Sequence, residues 1–431
     1  MKTELDGYAE TKVNYEATIE FAKSMDEKDP LKEFRQHFLI PQGPTGQWAY
    51  FAGNSLGLQP KKVKTYIEEE LEDWAKMGVE GHWAARHPWL PYHENLTDMS
   101  ARLVGAKPNE VVVMNTLTVN LHLMMVTFYR PTKTKYKIVI EAGSFPSDHY
   151  AVDSQAKIHG FDPKDAVIEL HPRKGEDTLR TEDILERIEK DGDQVALVLL
   201  GNVNYLTGQA FQVPQITKAA HAKGAHMGLN LAHGAGNLLL QLHDWDVDFA
   251  VWCSYKYLNS GPGSLAGCFI HERHAANTEL PRFAGWWGHD KPSRFQMGPD
   301  FQAIPTAEGW QLSNPPIFQL AALRASMELF DKATMPSLRA KSVVLTGYME
   351  FMLQRLGDFV EIITPSQPDE RGCQLSLRFK GDAKELLKKF NEAGAICDFR
   401  EPNIIRVAPT PMYNNFSDVY RFAEVLNRFV S

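Results

Sequence analysis

The stretch VDFAVWCSYKYLNSGPGSLAGCFI, residues 247–270, sets one lysine, Lys256, between two apolar runs. Residues 247–252 read as a buried strand, Ser260-Gly261-Pro262-Gly263 as a tight turn, and residues 265–270 as a second core strand. A lysine at the mouth of two core strands is costly to place unless its amine is held. Two readings are open. The amine snorkels to solvent past the strand end, or partial desolvation lowers its pKa and makes it a nucleophile toward carbonyls.

Five more apolar runs precede this pair, at 111–114, 137–140, 166–170, 195–200 and 226–229. Most are separated by segments long enough for a crossover helix, such as 181–190 and 213–223. That alternation predicts a mostly parallel seven-stranded sheet covered on both faces, an α/β architecture. The short Gly/Pro loop before the seventh run allows that strand to pair antiparallel. From about Ile317 the pattern changes to long helical stretches, 318–330 and 335–356, followed by a smaller α/β region. There Gln374 to Phe379 alternates like a half-buried strand. Asp382 suits the N-cap of a helix with Leu386, Leu387, Phe390 and Ala393 on one face, closed by Gly394. Ser417 or Asp418 starts a terminal helix through Phe422, Leu426 and Val430. Toward the N-terminus, acidic helical stretches are expected at 15–25 and 30–37. A further helix is expected to start at Pro60, with Val63, Ile67, Leu71 and Trp74 at helical period. The expected division is an N-terminal segment, 1–50, packing with the small domain, a large domain, 51–320, and a small C-terminal α/β domain, 321–431.

A chain of 431 residues exceeds what one hydrophobic core usually supports, in keeping with two domains. Its 43% hydrophobic and 23% charged residues are ordinary for a globular protein, and a net charge of -8 argues against a nucleic-acid partner. Cys253, Cys268, Cys373 and Cys397 show no CxxC spacing and read as free buried thiols of a reducing compartment. With no apolar leader at residues 1–7 and no run of eighteen apolar residues, a cytoplasmic protein without a membrane partner is expected.

Open α/β sheets bind ligands beyond the carboxyl ends of their strands. After the first strand, Asn115-Thr116-Leu117-Thr118-Val119-Asn120 opens a helix, which suits either an ordinary N-cap or a phosphate. After the second comes Phe145-Pro146-Ser147-Asp148, and after the fifth Asn230-Leu231-Ala232-His233; Lys256 follows the sixth. A phosphate cradle, a flat aromatic, a polar group near a histidine and a strand-end lysine are together the parts that hold pyridoxal 5'-phosphate. Competing motifs are missing: there is no G-x-G-x-x-G, no G-x-S-x-G and no P-loop. His82, His87, His271 and His274 have no accompanying metal-ligand set and read as surface histidines, so no metal is expected. Trp286-Trp287 reads equally as core packing or as a ligand wall.

At these residues the chain closely resembles the kynureninase family, from about Tyr50 to Val419. The matching blocks are Gly53-Asn54-Ser55-Leu56-Gly57-Leu58, Leu117 to His122, Phe145 to Asp148, Leu231-Ala232-His233, Trp252 to Asn259, Gly285-Trp286, Ser313-Asn314-Pro315-Pro316 and Arg406-Val407-Ala408-Pro409. The resemblance implies a fold-type-I pyridoxal-phosphate enzyme, transferase-like in fold. It also implies a homodimer with shared active sites that hydrolyses L-kynurenine or 3-hydroxy-L-kynurenine to L-alanine plus anthranilate or 3-hydroxyanthranilate, in tryptophan catabolism. Carried over by position, Lys256 would form the Schiff base and shuttle the α-proton, and Tyr255 would touch the phosphate and donate a proton late in the cycle. Leu117 and Thr118 would bind phosphate, Phe145 would stack on the ring, and His233 would contact the cofactor. Trp286 and Asn314 would come from the partner subunit. Arg406 would take the substrate carboxylate, with Ser55, His82 and Asn314 around the substrate ring. The rivals are another fold-type-I enzyme, such as a cysteine desulfurase or aminotransferase, and a weakened cofactor-binding protein.

Two positions depart from the pattern. The family resemblance places an aspartate before Leu-Ala-His to pair with the pyridinium nitrogen, and this chain has Asn230. A neutral amide gives a protonated ring nitrogen no charge stabilisation, so support on the order of several kcal/mol is expected to be lost and turnover slowed. Restoring aspartate there is expected to speed turnover, less so if Asp148 lies close enough to compensate partly. Gly201 stands where some relatives have a phosphate-side serine, for an expected loss of about 1 kcal/mol.

Overall fold

The seven apolar runs form one sheet. A computed structural model describes residues 13–43 and 46–430. Its strands are β1 (Val111–Met114), β2 (Lys137–Glu141), β3 (Val167–Leu170), β4 (Val195–Gly201), β5 (His226–Asn230), β6 (Phe249–Cys253) and β7 (Ala266–Ile270). Their spatial order is β1-β7-β6-β5-β4-β2-β3. Strands β2 to β6 pair parallel, while β7 runs antiparallel to both neighbours. The short turn at 260–264 leaves no room for a crossover helix, so β7 must reverse.

Successive side chains on a strand point to opposite faces, and both faces are covered. Val111 and Val113 enter one core, Val112 and Met114 the other; Ala250 and Trp252 divide likewise from Phe249 and Val251. Double coverage is why these strands read as unbroken apolar runs rather than alternating ones. Trp252 fits because Gly267 faces it across the β6–β7 pair: a Cβ at 267 would lie 2.1 Å from the indole. Helix α1 (Ile19–Lys28) is the first helix of the described chain. Helix α2 (Lys62–Met77) starts two residues after the expected Pro60, which is instead paired with Phe38 in a short antiparallel bridge. Helix α3 (Leu117–Phe128) packs on one face, α5 (Thr181–Asp191) and α6 (Val213–Ala222) on the other; α4 (Pro146–Ile158) follows β2.

Helices α7 (Ile317–Ala333) and α8 (Met335–Gln354) lead to a four-stranded antiparallel sheet. It comprises β8 (Val360–Ile362), β9 (Leu375–Phe379), β10 (Asp398–Arg400) and β11 (Ile404–Val407), in the order β8-β9-β11-β10. Asp382 caps α9 (Ala383–Glu392) by accepting from the Lys384 and Glu385 N–H groups, and Gly394 follows at φ 87°. α10 (Phe416–Val430) closes the chain. Tyr15, Ile19, Phe21, Ala49 and Phe51 pack into the core of this second sheet. The first twelve residues of the N-terminal segment lie outside the described chain.

Residues 49–58 run from one sheet to the other. Ala49–Tyr50 pairs with Ala395–Ile396, Ala408 N–H donates to the Phe51 carbonyl at 2.9 Å, and Gly57 N–H donates to the Tyr255 carbonyl at 2.8 Å. A Cβ on Gly57 would lie 2.3 Å from the Lys256 carbonyl oxygen, so only glycine permits this approach.

Two buried charge clusters brace the scaffold away from the strands' carboxyl ends. Asp248 accepts from His221 (2.8 Å), His274 (2.6 Å), Arg273 (2.6 Å) and the Met227 N–H (2.6 Å). Burial pushes its carboxyl up, but the bonds from His221, His226 and His274 outweigh this and hold it well below the carboxylate range. The expectation that His271 and His274 are surface histidines is therefore corrected. His271 is buried with its ring stacked on His243, and His274 is bound to Asp248. Elsewhere Lys341 of α8 meets Asp29, the C-cap of α1, at 2.7 Å, with both side chains almost fully buried. Replacing Lys341 by Met strands the Asp29 charge, and about 3–5 kcal/mol should be lost in chemical denaturation. A loss below about 1 kcal/mol would show that water or another cation reaches Asp29. The four cysteines are buried and unpaired.

Candidate active site

The carboxyl ends of β1, β2, β4, β5 and β6 converge on one pocket. Its wall includes Leu117, Thr118, Phe145, Asp148, Asn230, His233, Tyr255 and Lys256. The turn after β6 delivers Lys256 half-buried, its Nζ 3.1 Å from His233 Nε2 and 5.8 Å from the centre of the Phe145 ring. Burial lowers the lysine's pKa, assisted by the positive fields of Arg406 and Arg400, while Cys253 and Asp148 oppose the shift. His233 is buried and its pKa is driven well down, by burial first and then by Lys256, Arg406 and Arg400, so its ring is neutral near pH 7. The arrangement gives an amine with reduced proton affinity beside an uncharged imidazole. The snorkelling reading of Lys256 does not survive this.

Helix α3 opens on the pocket with no side-chain cap from Thr116. The N–H groups of its first turn are left for a ligand. Thr118 Oγ1 lies 3.0 Å from Ser147 Oγ, linking the first turns of α3 and α4. Phe145 is 48% exposed, an open aromatic face on the pocket wall. Opposite charge chemistry is supplied by a buried pair: Asn230 Nδ2 donates to Asp148 Oδ1 at 3.0 Å and Oδ2 at 2.8 Å. Burial pushes Asp148 up to about 6, against the lowering effects of the Asn230 hydrogen bond, Lys256 and His149. Tyr255 is pushed up to about 12 by burial, so its phenol keeps its proton.

Arg406 stands one layer behind. It is 1% exposed in the middle of β11, directly across from Asp398 on β10. Its Nη2 donates to Asp398 Oδ2 at 2.6 Å and its Nη1 to the Tyr205 carbonyl at 2.6 Å, while Nε has no partner. The Tyr205 ring meets Phe145 edge-on with centroids 5.4 Å apart, and so joins Arg406 to the pocket wall.

The other four expected residues do not line this pocket. Trp286 Nε1 donates to Asn314 Oδ1 at 3.0 Å, and the indole is 42% exposed, while the neighbouring Trp287 is fully buried. His82 binds the Val79 carbonyl at 2.8 Å and packs against Trp83 and Trp89. Ser55 sits in the 49–58 segment and donates its N–H to the Ala52 carbonyl.

Sequence reasoning passed over Glu141 and Tyr205 and gave Ser147 no role of its own; all three are on the wall. Glu141 ends β2 just as Asn230 ends β5, and that strand-end position was the available signal. Burial, then the Asp148 charge, pushes its carboxyl up to about 8, so it is neutral at pH 7. Gly201 lies beside it: a Cβ there would be 2.9 Å from Glu141 Oε1.

Residues 338–426 match the family model described as the kynureninase C-terminal domain. The chain is 66% identical over 414 residues to the kynureninase of Myxococcus xanthus, covering 96% of this chain and 97% of that protein. It is 49% identical to the kynureninase of Mus musculus, covering 94% and 92%. Among solved structures, the apo cysteine desulfurase of Thermococcus onnurineus superposes with a TM-score of 0.74 at 18% identity, covering 89% of this chain and 94% of that one. The cystine C–S lyase C-DES in complex with cysteine persulfide gives 0.75 at 16%, covering 89% and 97%. These two likenesses concern the fold, which is that of fold type I.

Proposed function

The chain belongs to the kynureninase family, and from that membership we propose that the Lys256 pocket hydrolyses the Cβ–Cγ bond of L-kynurenine or 3-hydroxy-L-kynurenine. The reaction consumes one water and gives L-alanine with anthranilate or 3-hydroxyanthranilate. The observation that carries this reading is the Lys256–His233 contact, 3.1 Å long, among uncapped helix N–H groups and an open aromatic face.

The residues present fit pyridoxal 5'-phosphate, the cofactor. The Leu117–Thr118 end of α3 suits its phosphate, the Phe145 face suits its ring, and the amine of Lys256 suits its aldehyde. Buried polar atoms without a protein partner, His233 Nδ1 and Glu141 Oε2, are further evidence of a polar occupant. When bound, the cofactor supplies an electron sink for a carbanion at the substrate's α- or β-carbon.

The protein's own contribution is placement and proton traffic. Lys256, its pKa lowered, takes the α-proton at Nζ and returns one. His233, held neutral, leaves the amine free to do so. Arg406 fixes the carboxylate of the amino acid through its remaining N–H groups and so sets which bond stands against the ring. Tyr255, protonated near neutral pH, can deliver a proton to the three-carbon fragment that leaves as alanine.

We assign Trp286 and Asn314 to the pocket of a partner subunit, with Ser55 and His82 around the substrate's aromatic ring. The exposed indole of Trp286 and a cavity of about 680 Å³ beside the Lys256 turn, lined by Leu56, Leu58, Ile67 and Phe318 among others, support a homodimer. A reducing cytoplasm suits the four unpaired thiols. Among the described residues no helix is long and apolar enough to cross a membrane.

Incubating the cofactor-loaded protein with kynurenine and 3-hydroxykynurenine tests the reading. Anthranilate fluorescence or 3-hydroxyanthranilate absorbance is the expected result. Sulfide from cysteine with neither aromatic product would favour a desulfurase. Cofactor binding without any turnover would favour a weakened binding protein.

A further inference from the structure

Asn230 and Asp148 form one buried unit on the pocket wall, 7% and 6% exposed. The orientation of the Asn230 amide is fixed from both ends. Its Oδ1 accepts the Ala232 N–H at 2.9 Å, and its Nδ2 lies 3.0 and 2.8 Å from the two Asp148 oxygens. Flipping it would set oxygen against carboxylate and N–H against N–H.

The same geometry with aspartate at 230 would bring two carboxylates within hydrogen-bond distance. Like charges that close do not both ionise, and such a pair carries one negative charge and one shared proton. Asparagine has the shape of a neutral aspartic acid with an N–H donor in place of O–H. The Asn230–Asp148 unit therefore keeps the single negative charge of a protonated two-acid pair, but fixes it on Asp148.

We propose that in this chain Asp148 is the acid that keeps the cofactor's ring nitrogen protonated, and that Asn230 is its positioning residue, a permanent donor that holds Asp148 ionised and aimed. The proposal rests on the reading of this pocket as the pyridoxal-phosphate site. The groups around Asp148 are consistent with a lone charge there. Asn230 on β5 donates to it, Lys256 beyond β6 and His149 on α4 favour its ionised form, and Glu141 on β2 is kept neutral by burial. Asn230 is then a relocation of the acid rather than its loss, contrary to the slowing expected from the sequence.

Cofactor dissociation constants and the pH dependence of the bound cofactor's visible absorbance, measured on the parent, on Asp148→Asn and on the exchanged pair Asp148→Asn/Asn230→Asp, decide it. Asp148→Asn removes the negative charge of the unit. Cofactor affinity should fall about tenfold or more, and the absorbance midpoint should move by about one pH unit or more. The exchange returns one carboxylate to the unit and should recover the affinity to within about threefold and the midpoint to within about half a pH unit. Parental affinity and midpoint in Asp148→Asn overturn the proposal. So does an exchanged pair, folded by circular dichroism, that is no better than Asp148→Asn. A parent that gives no visible band with the cofactor would instead sink the reading of the pocket itself.

Discussion

Lys256→Ala is expected to lower kynurenine turnover by about a thousandfold or more while leaving the fold intact. The side chain ends in a pocket, not a core, so its removal leaves little strain; its partner His233 loses only one contact of 3.1 Å. Lys256 is the sole lysine on the wall among the described residues, and no second amine can take over the proton transfer there. The check is single-turnover kinetics together with borohydride reduction and peptide mapping. The parent should carry reduced cofactor on Lys256 and the variant none. Turnover within tenfold of the parent would remove Lys256 from the chemistry.

Arg406→Lys has the second-largest expected effect, and it should fall on KM more than on kcat. Lysine keeps the charge but loses the planar fork that serves Asp398, the Tyr205 carbonyl and a carboxylate at once. A rise in KM of about 30- to 150-fold is expected, on the order of 2–3 kcal/mol of ground-state binding. Truncation to Leu goes further. It leaves Asp398 buried with only Arg400, 3.0 Å away, to offset it, and should cost about 3 kcal/mol of stability besides. Comparing the two separates binding from folding: a normal melting transition with a high KM in Arg406→Lys assigns the effect to substrate. An unchanged KM in that variant would leave Arg406 a structural cation.

Much of the frame was readable because buried parallel strands advertise themselves. The runs that became β1 to β7 are apolar on both faces, and the short Gly/Pro turn before Leu265 left room for the reversal of β7. The pocket was readable where its residues sit just past those runs, as Asn230, Asp148 and Lys256 do. Tyr205 was not, because it lies in an irregular loop after β4 and owes its place to packing on Phe145 and to the Arg406 bond. His271 and His274 were misread for a related reason. Their partners Asp248 and Glu110 are distant in sequence or carry no periodic signal, and only the sheet brings them together. Pro60 shows local propensity giving way to a tertiary pairing with Phe38. Trp286 and Asn314 mark another limit, since they bond to each other away from this pocket and no strand end of the sheet carries them to it.

The 49–58 segment works as a tie-rod. One end is stitched to the sheet that carries Arg406, the other to the turn that carries Lys256, and it has close backbone contacts at both. A rod of this kind sets a fixed spacing between the two, so a side chain added at Gly57 would displace the Lys256 turn as well as the segment itself.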